Sequence, residues 1–177
     1  MLEIVGDHPE GAALVEQRRQ VEALFIEWYG ELVGLGALIT GDRAAGEDIA
    51  QDVFAALYRR SEALDDPAAV VGYLRRSVVN GARDRLRRRA VEVRVHPRVV
   101  VAWRSTEDLV VAGDDAEAVG AAVATLPVRQ RECVACHYQL GLSHHETAAA
   151  LGISPSSVKT HLRRATRHLA NVLKDRR

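Results

Sequence analysis

The sequence predicts an all-α protein: two small helical domains joined by a flexible linker, the second carrying a helix-turn-helix. Three observations carry this. Through most of the chain apolar residues recur at spacings of three and four, which is the helical period. Residues 142–169 hold the punctuation of two helices around a tight turn. Over residues 91–117 the period lapses, first into β-branched residues broken by Pro97 and then into acidic ones. A strand-like run at 99–102 lies there, but one strand alone has nothing to pair with. The expected division is therefore 1–90, 91–117 and 118–177.

Residues 1–9 show no pattern. From about Gly11, an apolar stripe of Leu14, Val21, Leu24, Phe25, Trp28, Leu32 and Val33 predicts a helix. Gly30, Gly34 and Gly36 weaken its second half, so a bend or break is expected near Gly34. Thr40, Gly41 and Asp42 predict a turn whose aspartate caps the next helix. That helix, 46–60, is strongly amphipathic: Ile49, Val53 and Leu57 face inward, with Phe54 and Tyr58 on the flank. Glu47, Asp48, Gln51 and Asp52 crowd its other side near the N-terminal end, where the helix dipole favours negative charge. After a loop at 61–67 a third helix is expected over 68–89, with Val70, Leu74, Val78 and Leu86 inward. Arg76, Asn80, Arg83 and Arg87 share another of its faces. Cations flanking one amide suit a phosphate backbone with a base edge between its contacts.

Residues 117–139 read as two helices around Leu126 and Pro127. Cys133, Cys136 and His137 spell the haem-attachment motif C-x-x-C-H. Their place on the inward face of a helix, with no export signal and no second ligand pair, favours buried small hydrophobes instead. Ser143 and Glu146 form a capping box that starts a helix at His144, and Ala148 and Leu151 lie on one of its faces. Gly152 stops it, Ser154 caps the next helix, and Pro155 takes the first position. Val158, Leu162, Ala165 and Leu169 form the buried stripe of the second helix; Lys159, Thr160, Arg163, Arg164 and Arg167 are left outside. Such a row of donors suits the major groove, where guanine presents two acceptors.

The formal net charge is zero, so total charge says nothing of nucleic acid. Its distribution does. Residues 1–66 carry minus nine, 73–104 plus eight, 105–125 minus five and 126–177 plus six. Two basic blocks around an acidic spacer suggest two contacts on one polyanion. No signal peptide and no apolar run of membrane length is recognised, and two cysteines make no disulfide framework, so a reducing cytoplasmic setting is expected. No nucleophile, carboxylate pair or phosphate loop suggests an enzyme, and no cofactor or metal is implied.

In this order the segments resemble the extracytoplasmic-function (ECF) group of bacterial sigma-70 family factors. GEDIAQDVFAALYRR is similar to their region 2.2, which implies that Glu47, Asp48, Gln51 and Asp52 dock on the β′ clamp helices of RNA polymerase core. YLRRSVVNGARDRLRRR is similar to regions 2.3 and 2.4, which implies promoter minus-ten contacts from Tyr73, Arg76, Asn80, Arg83 and Arg87, with Asp65 and Asp66 in a base-gripping loop. Leu126, Pro127, Arg129, Gln130 and Arg131 match the start of region 4.1. Residues 141–169 match region 4.2, which implies minus-thirty-five contacts from Ser156, Ser157, Lys159, Thr160, Arg163, Arg164 and Arg167, and packing on the β flap. The resemblance also implies an anti-sigma factor or other regulator. Gly46 and Thr147 stand where the family usually has alanine and isoleucine, which softens both helices. The other readings weighed are a stand-alone helix-turn-helix regulator with an N-terminal sensing or dimerising domain, and a haem carrier.

Overall fold

A computed structural model describes residues 9–60, 66–95 and 114–174. Every regular element among these is helical, as expected. The helices are α1 (Pro9–Thr40), α2 (Arg43–Arg59), α3 (Pro67–Val95), α4 (Asp114–Ala124), α5 (Val128–Val134), α6 (His144–Leu151) and α7 (Pro155–Lys174). A π-helical turn, Ala135–Gln139, extends α5.

The first three helices pack on one another. Helix α1 runs unbroken to Thr40, against the expected bend near Gly34. Propensity loses here to packing, because Leu32, Leu35 and Ile39 are fully buried and hold the second half of α1 against its neighbours. By length and composition Val15–Thr40 could also cross a membrane, which the sequence reading did not recognise; here it packs on α2 and α3. Asp42 caps α2 as predicted, its Oδ1 accepting from the Ala45 amide at 3.3 Å. Ile49, Val53, Phe54 and Leu57 are buried, each worth about 1.5–3 kcal/mol on removal from water. Gly46 is needed for more than propensity. A Cβ there would lie 2.5 Å from the Val33 carbonyl oxygen and 2.7 Å from the Ala37 amide nitrogen, so α1 and α2 cross backbone to backbone. Alanine would not fit.

Helix α3 outruns its expected end, continuing through residues 90–95, and α4 starts at Asp114 rather than in the 117–118 region. The remainder of the expected linker, including Pro97 and the run 99–102, lies outside the described residues, as does Asp65. Helices α4 to α7 form the second group, with Leu126, Cys133, Ala148, Leu151, Val158, Leu162 and Ala165 inside. The two groups also touch. Helix α1 contacts α4, α5 and the π-turn, and α3 contacts α6, so a single apolar cluster extends from Val21 to Ala165.

Candidate DNA and polymerase interfaces

The helix-turn-helix is built as its punctuation predicts. Ser143 Oγ accepts from the Glu146 amide at 3.2 Å, and Glu146 accepts from the Ser143 amide at 2.8 Å. Hydrogen bonding from the Ser143 hydroxyl and from its amide holds the Glu146 carboxyl below its usual pKa. Gly152 ends α6 in the left-handed region at φ 64°. Ser154 Oγ then accepts from the Ser157 amide at 3.2 Å and starts α7. Val158, Leu162 and Ala165 are buried against α5 and α6, which fixes the rotation of α7. Lys159, Arg163, Arg164 and Arg167 are consequently exposed, and among the described residues none of these cations meets a carboxylate. Thr160 is half-buried and donates back to the Ser156 carbonyl at 3.0 Å. The Ser156 and Ser157 hydroxyls lie 2.9 and 2.8 Å from that of Ser154.

The predicted face of α3 exists but is not open. Arg83 Nε and Nη2 donate to the two carboxylate oxygens of Glu132 at 2.7 and 2.8 Å, while Arg129 adds a third donor at 3.1 Å. Glu132 is completely buried, and the hydrogen bond from Arg83 raises that guanidinium's pKa against the opposing effect of burial. Arg76 donates to the Ala149 carbonyl at 3.3 Å. Arg87 pairs along its own helix with Asp84 at 2.7 Å, and Asn80 is exposed beside Arg83, whose Nη1 lies 3.3 Å from its Oδ1. Asp66 caps α3, its Oδ1 accepting from the Ala68 and Ala69 amides at 3.0 and 3.2 Å. Tyr73 packs on the core with the Arg60 guanidinium 4.8 Å above its ring.

On α2, Asp48, Gln51 and Asp52 are exposed and Glu47 is half-buried in a 2.9 Å pair with Arg43. Beside them lie aromatic side chains that the sequence reading did not assign to a surface. Phe25 stacks on Tyr29 at 4.5 Å and meets Phe54 edge-on at 5.0 Å, while Tyr29 Oη accepts from Gln51 Nε2 at 3.4 Å. Phe25 and Tyr29 are four residues apart on α1, a helical spacing that marked the pair without showing that it borders the acidic face.

Cys133 and Cys136 are both fully buried, as small hydrophobes would be. Burial pushes their thiols up to about 11 and about 12, so neither is poised for thiolate chemistry. Glu132 was missed as a structural partner. The only available signal was that it is the single acid between residues 118 and 141. Arg131 is turned inward: it donates to Ile39 O of α1 at 2.7 Å and to the Ala124 and Leu126 carbonyls at 2.9 and 3.1 Å.

A capped helix-turn-helix with an exposed cationic second helix, paired with a second arginine-bearing helix, defines a helical DNA-binding protein. Residues 24–91 match the family model for Sigma-70 region 2, and residues 116–169 that for Sigma-70, region 4. The chain is 30% identical over 168 residues to the ECF RNA polymerase sigma factor SigM of Mycobacterium tuberculosis, covering 92% of this chain and 81% of that one. It is 27% identical to the ECF factor SigK of Mycobacterium bovis over 162 residues, or 86% and 87% of the two chains. The fold is similar to that of RpoE from Bartonella quintana, solved with the anti-sigma factor NepR (TM-score 0.75, 19% identity, 90% and 99% covered). It is also similar to CnrH, solved with the cytosolic domain of CnrY (TM-score 0.64, 21% identity, 94% and 95% covered). The chain belongs to the ECF group of sigma-70 family RNA polymerase sigma factors, and is a promoter-directing transcription initiation factor.

Proposed function

We propose how the labour is divided along this chain. Residues 1–90 form the unit that holds polymerase core and the minus-ten element, and residues 118–177 the unit that reads the minus-thirty-five element. The observation that carries the reading is the exposed stripe of Lys159, Arg163, Arg164 and Arg167 on a helix whose opposite stripe is buried. These side chains, with Ser156, Ser157 and Thr160, enter the major groove. Asp48, Gln51 and Asp52, with Glu47 behind them, dock on the β′ clamp helices, and the Phe25–Tyr29 pair extends that surface with apolar area. On α3, Asn80 reads the minus-ten element while Arg76, Arg83 and Arg87 hold the backbone.

The chain acts by binding alone, in the cytoplasm, and opening relies on capture of an extruded base. Extrusion costs a few kcal/mol and stacking on an aromatic returns roughly 1–3 kcal/mol. Tyr73 already carries Arg60 on its ring and packs on the core, so a polar pocket at the 65–67 loop and Asn80 supplies the remainder. One oxygen of Asp66 is committed to capping α3. An anti-sigma factor is the expected regulator, as for the similarly folded RpoE of Bartonella quintana, which was solved with the anti-sigma factor NepR. The stand-alone regulator is disfavoured by the region 2 match, which covers the N-terminal half.

The test is copurification with core polymerase and promoter-dependent transcription in a purified system. Reversing Asp48 and Asp52 together should weaken core binding with helicity unchanged; intact affinity would sink the docking assignment. Asn80→Ala should impair transcription on duplex and pre-opened minus-ten templates alike, whereas a swapped 65–67 loop should be rescued by the open one.

A further inference from the structure

We infer that the cleft between the π-turn and α7 is a phosphate site in which His137 must gain a proton to bind, so that duplex DNA held by α7 is bound with proton uptake. This rests on the reading of α7 as the duplex-binding helix. His137, Tyr138, His144, Arg163 and Arg167 line the cleft together with Leu162. Arg163 and Arg167 also belong to the exposed stripe of α7, so a duplex lying along that stripe brings its backbone to the cleft. Leu142 closes the turn twice: its amide donates to the Cys136 carbonyl at 3.2 Å, and its own carbonyl lies 2.6 Å from His137 Nδ1. A carbonyl only accepts, so Nδ1 carries the hydrogen. Nε2 is then a lone pair in the neutral ring and a donor only in the cation. A phosphodiester oxygen has no hydrogen to offer that lone pair, and Nε2 holds it only once the ring has taken a proton from solvent.

The counter-charge has to come from outside the chain. His144 stacks on His137 with ring centroids 4.9 Å and planes 18° apart, and Tyr138 meets His137 edge-on at 4.9 Å. Arg163 and Arg167 approach from α7, and α1 meets the turn through Gly34 and Gln139. Among the described residues no carboxylate lines the cleft. Glu146, the acid closest in sequence to His144, lines a separate cavity with α1 and α3. A cation formed on His137 beside two guanidiniums therefore finds its partner in a bound anion, and a nucleic-acid backbone supplies one at each phosphate.

The test uses the full chain and a short mixed-sequence duplex, because a phosphate contact does not depend on base sequence. Calorimetry in two buffers of different ionisation heat counts the protons taken up, and anisotropy at constant ionic strength reads affinity across about pH 6–8. The parent should take up protons on binding and gain up to about tenfold in affinity per unit fall in pH, the limit for one proton. Its log–log salt slope should be steeper at the acidic end by up to about 0.9, as for one more phosphate contact. His137→Gln, whose amide can still donate to Leu142, should lose most of the pH dependence, whereas His137→Lys should hold the acidic affinity at every pH. His168→Gln, whose ring lies 2.9 Å from the Thr125 hydroxyl, should keep the parent's dependence; a loss there instead would overturn His137 as the proton acceptor. If neither His137 variant folds, calorimetry on the parent still decides, since binding without proton uptake overturns the site. Uptake with inorganic phosphate but none with duplex would assign the cleft to a free anion and overturn its link to DNA. Lys159→Ala with Arg164→Ala, both outside the cleft, tests the reading beneath. Loss of duplex affinity there, with the pH dependence intact in folded His137→Gln, overturns the proton-linked site alone; no loss overturns α7 as the duplex-binding helix.

Discussion

Helices α3 and α7 carry similar rows of arginine, and the protein treats them in opposite ways. On α7 the row stands in solvent because a buried stripe, Val158, Leu162 and Ala165, anchors the other side of the helix. On α3, Arg83 and Arg76 are drawn into a contact with α5 and α6, ending on a buried carboxylate and two helix-terminal carbonyls. The difference teaches that a cationic stripe in a sequence marks donors, while their acceptor depends on what the rest of the chain brings near. On α7 that acceptor is left to a partner; on α3 the chain supplies its own.

The largest expected effect breaks the α3 side of this contrast. Glu132→Ala leaves Arg83 without its carboxylate and should cost about 3 kcal/mol in urea unfolding, near the lower end for severed buried pairs because Arg83 keeps some solvent access. A double-mutant cycle with Arg83→Ala should recover a large coupling, whereas the exposed Arg87–Asp84 pair should give below about 0.5 kcal/mol. Equal couplings would remove the contrast.

On the α7 side, Arg163→Ala should leave stability within about 0.5 kcal/mol of the parent. Its effect should appear in promoter discrimination, at about 1–3 kcal/mol if it reads a base. Equal losses on specific and random duplexes would make Arg163 a phosphate contact.

A smaller effect lies between the two helices, on α6. Thr147 is fully buried and its hydroxyl has no hydrogen-bond partner. Thr147→Val removes that orphan at constant shape and should stabilise the chain by about 1 kcal/mol, seen as a rise in Tm. Oligonucleotide affinity should stay the same, since neither row of cations is touched; a loss of stability would mean that the hydroxyl is satisfied.

The smallest effect is the pH response of the cap that sets α6. Glu146 has a depressed pKa in the folded chain, so its contribution is present above the unfolded value and is lost as pH falls through the folded one. Amide exchange at the start of α6 should therefore accelerate on acidification below the ordinary carboxylate range. Glu146→Gln, which can still accept from Ser143, should flatten that dependence.

Local chemistry determined much of this protein in the sequence alone. Ser143, Glu146, Gly152 and Ser154 set both ends of α6 and the start of α7 through hydrogen bonds within four residues, and the spacing of Val158, Leu162 and Ala165 decided which side of α7 would face solvent. The order of the acidic helix, the arginine helix and the helix-turn-helix was enough to suggest the family. What lay beyond it were contacts between residues distant in the chain. Local pattern gave Gly34 as a weak point, yet α1 passes through it unbroken because buried leucines and Ile39 hold it from outside. Gly46 read as a softened helix start, and only the crossing with α1 shows that a Cβ has no room. Glu132 carried almost no signal, since a lone carboxylate in a helix is ordinarily solvated. Its meaning depends on Arg83, 49 positions away, and tertiary packing alone decides that the two meet.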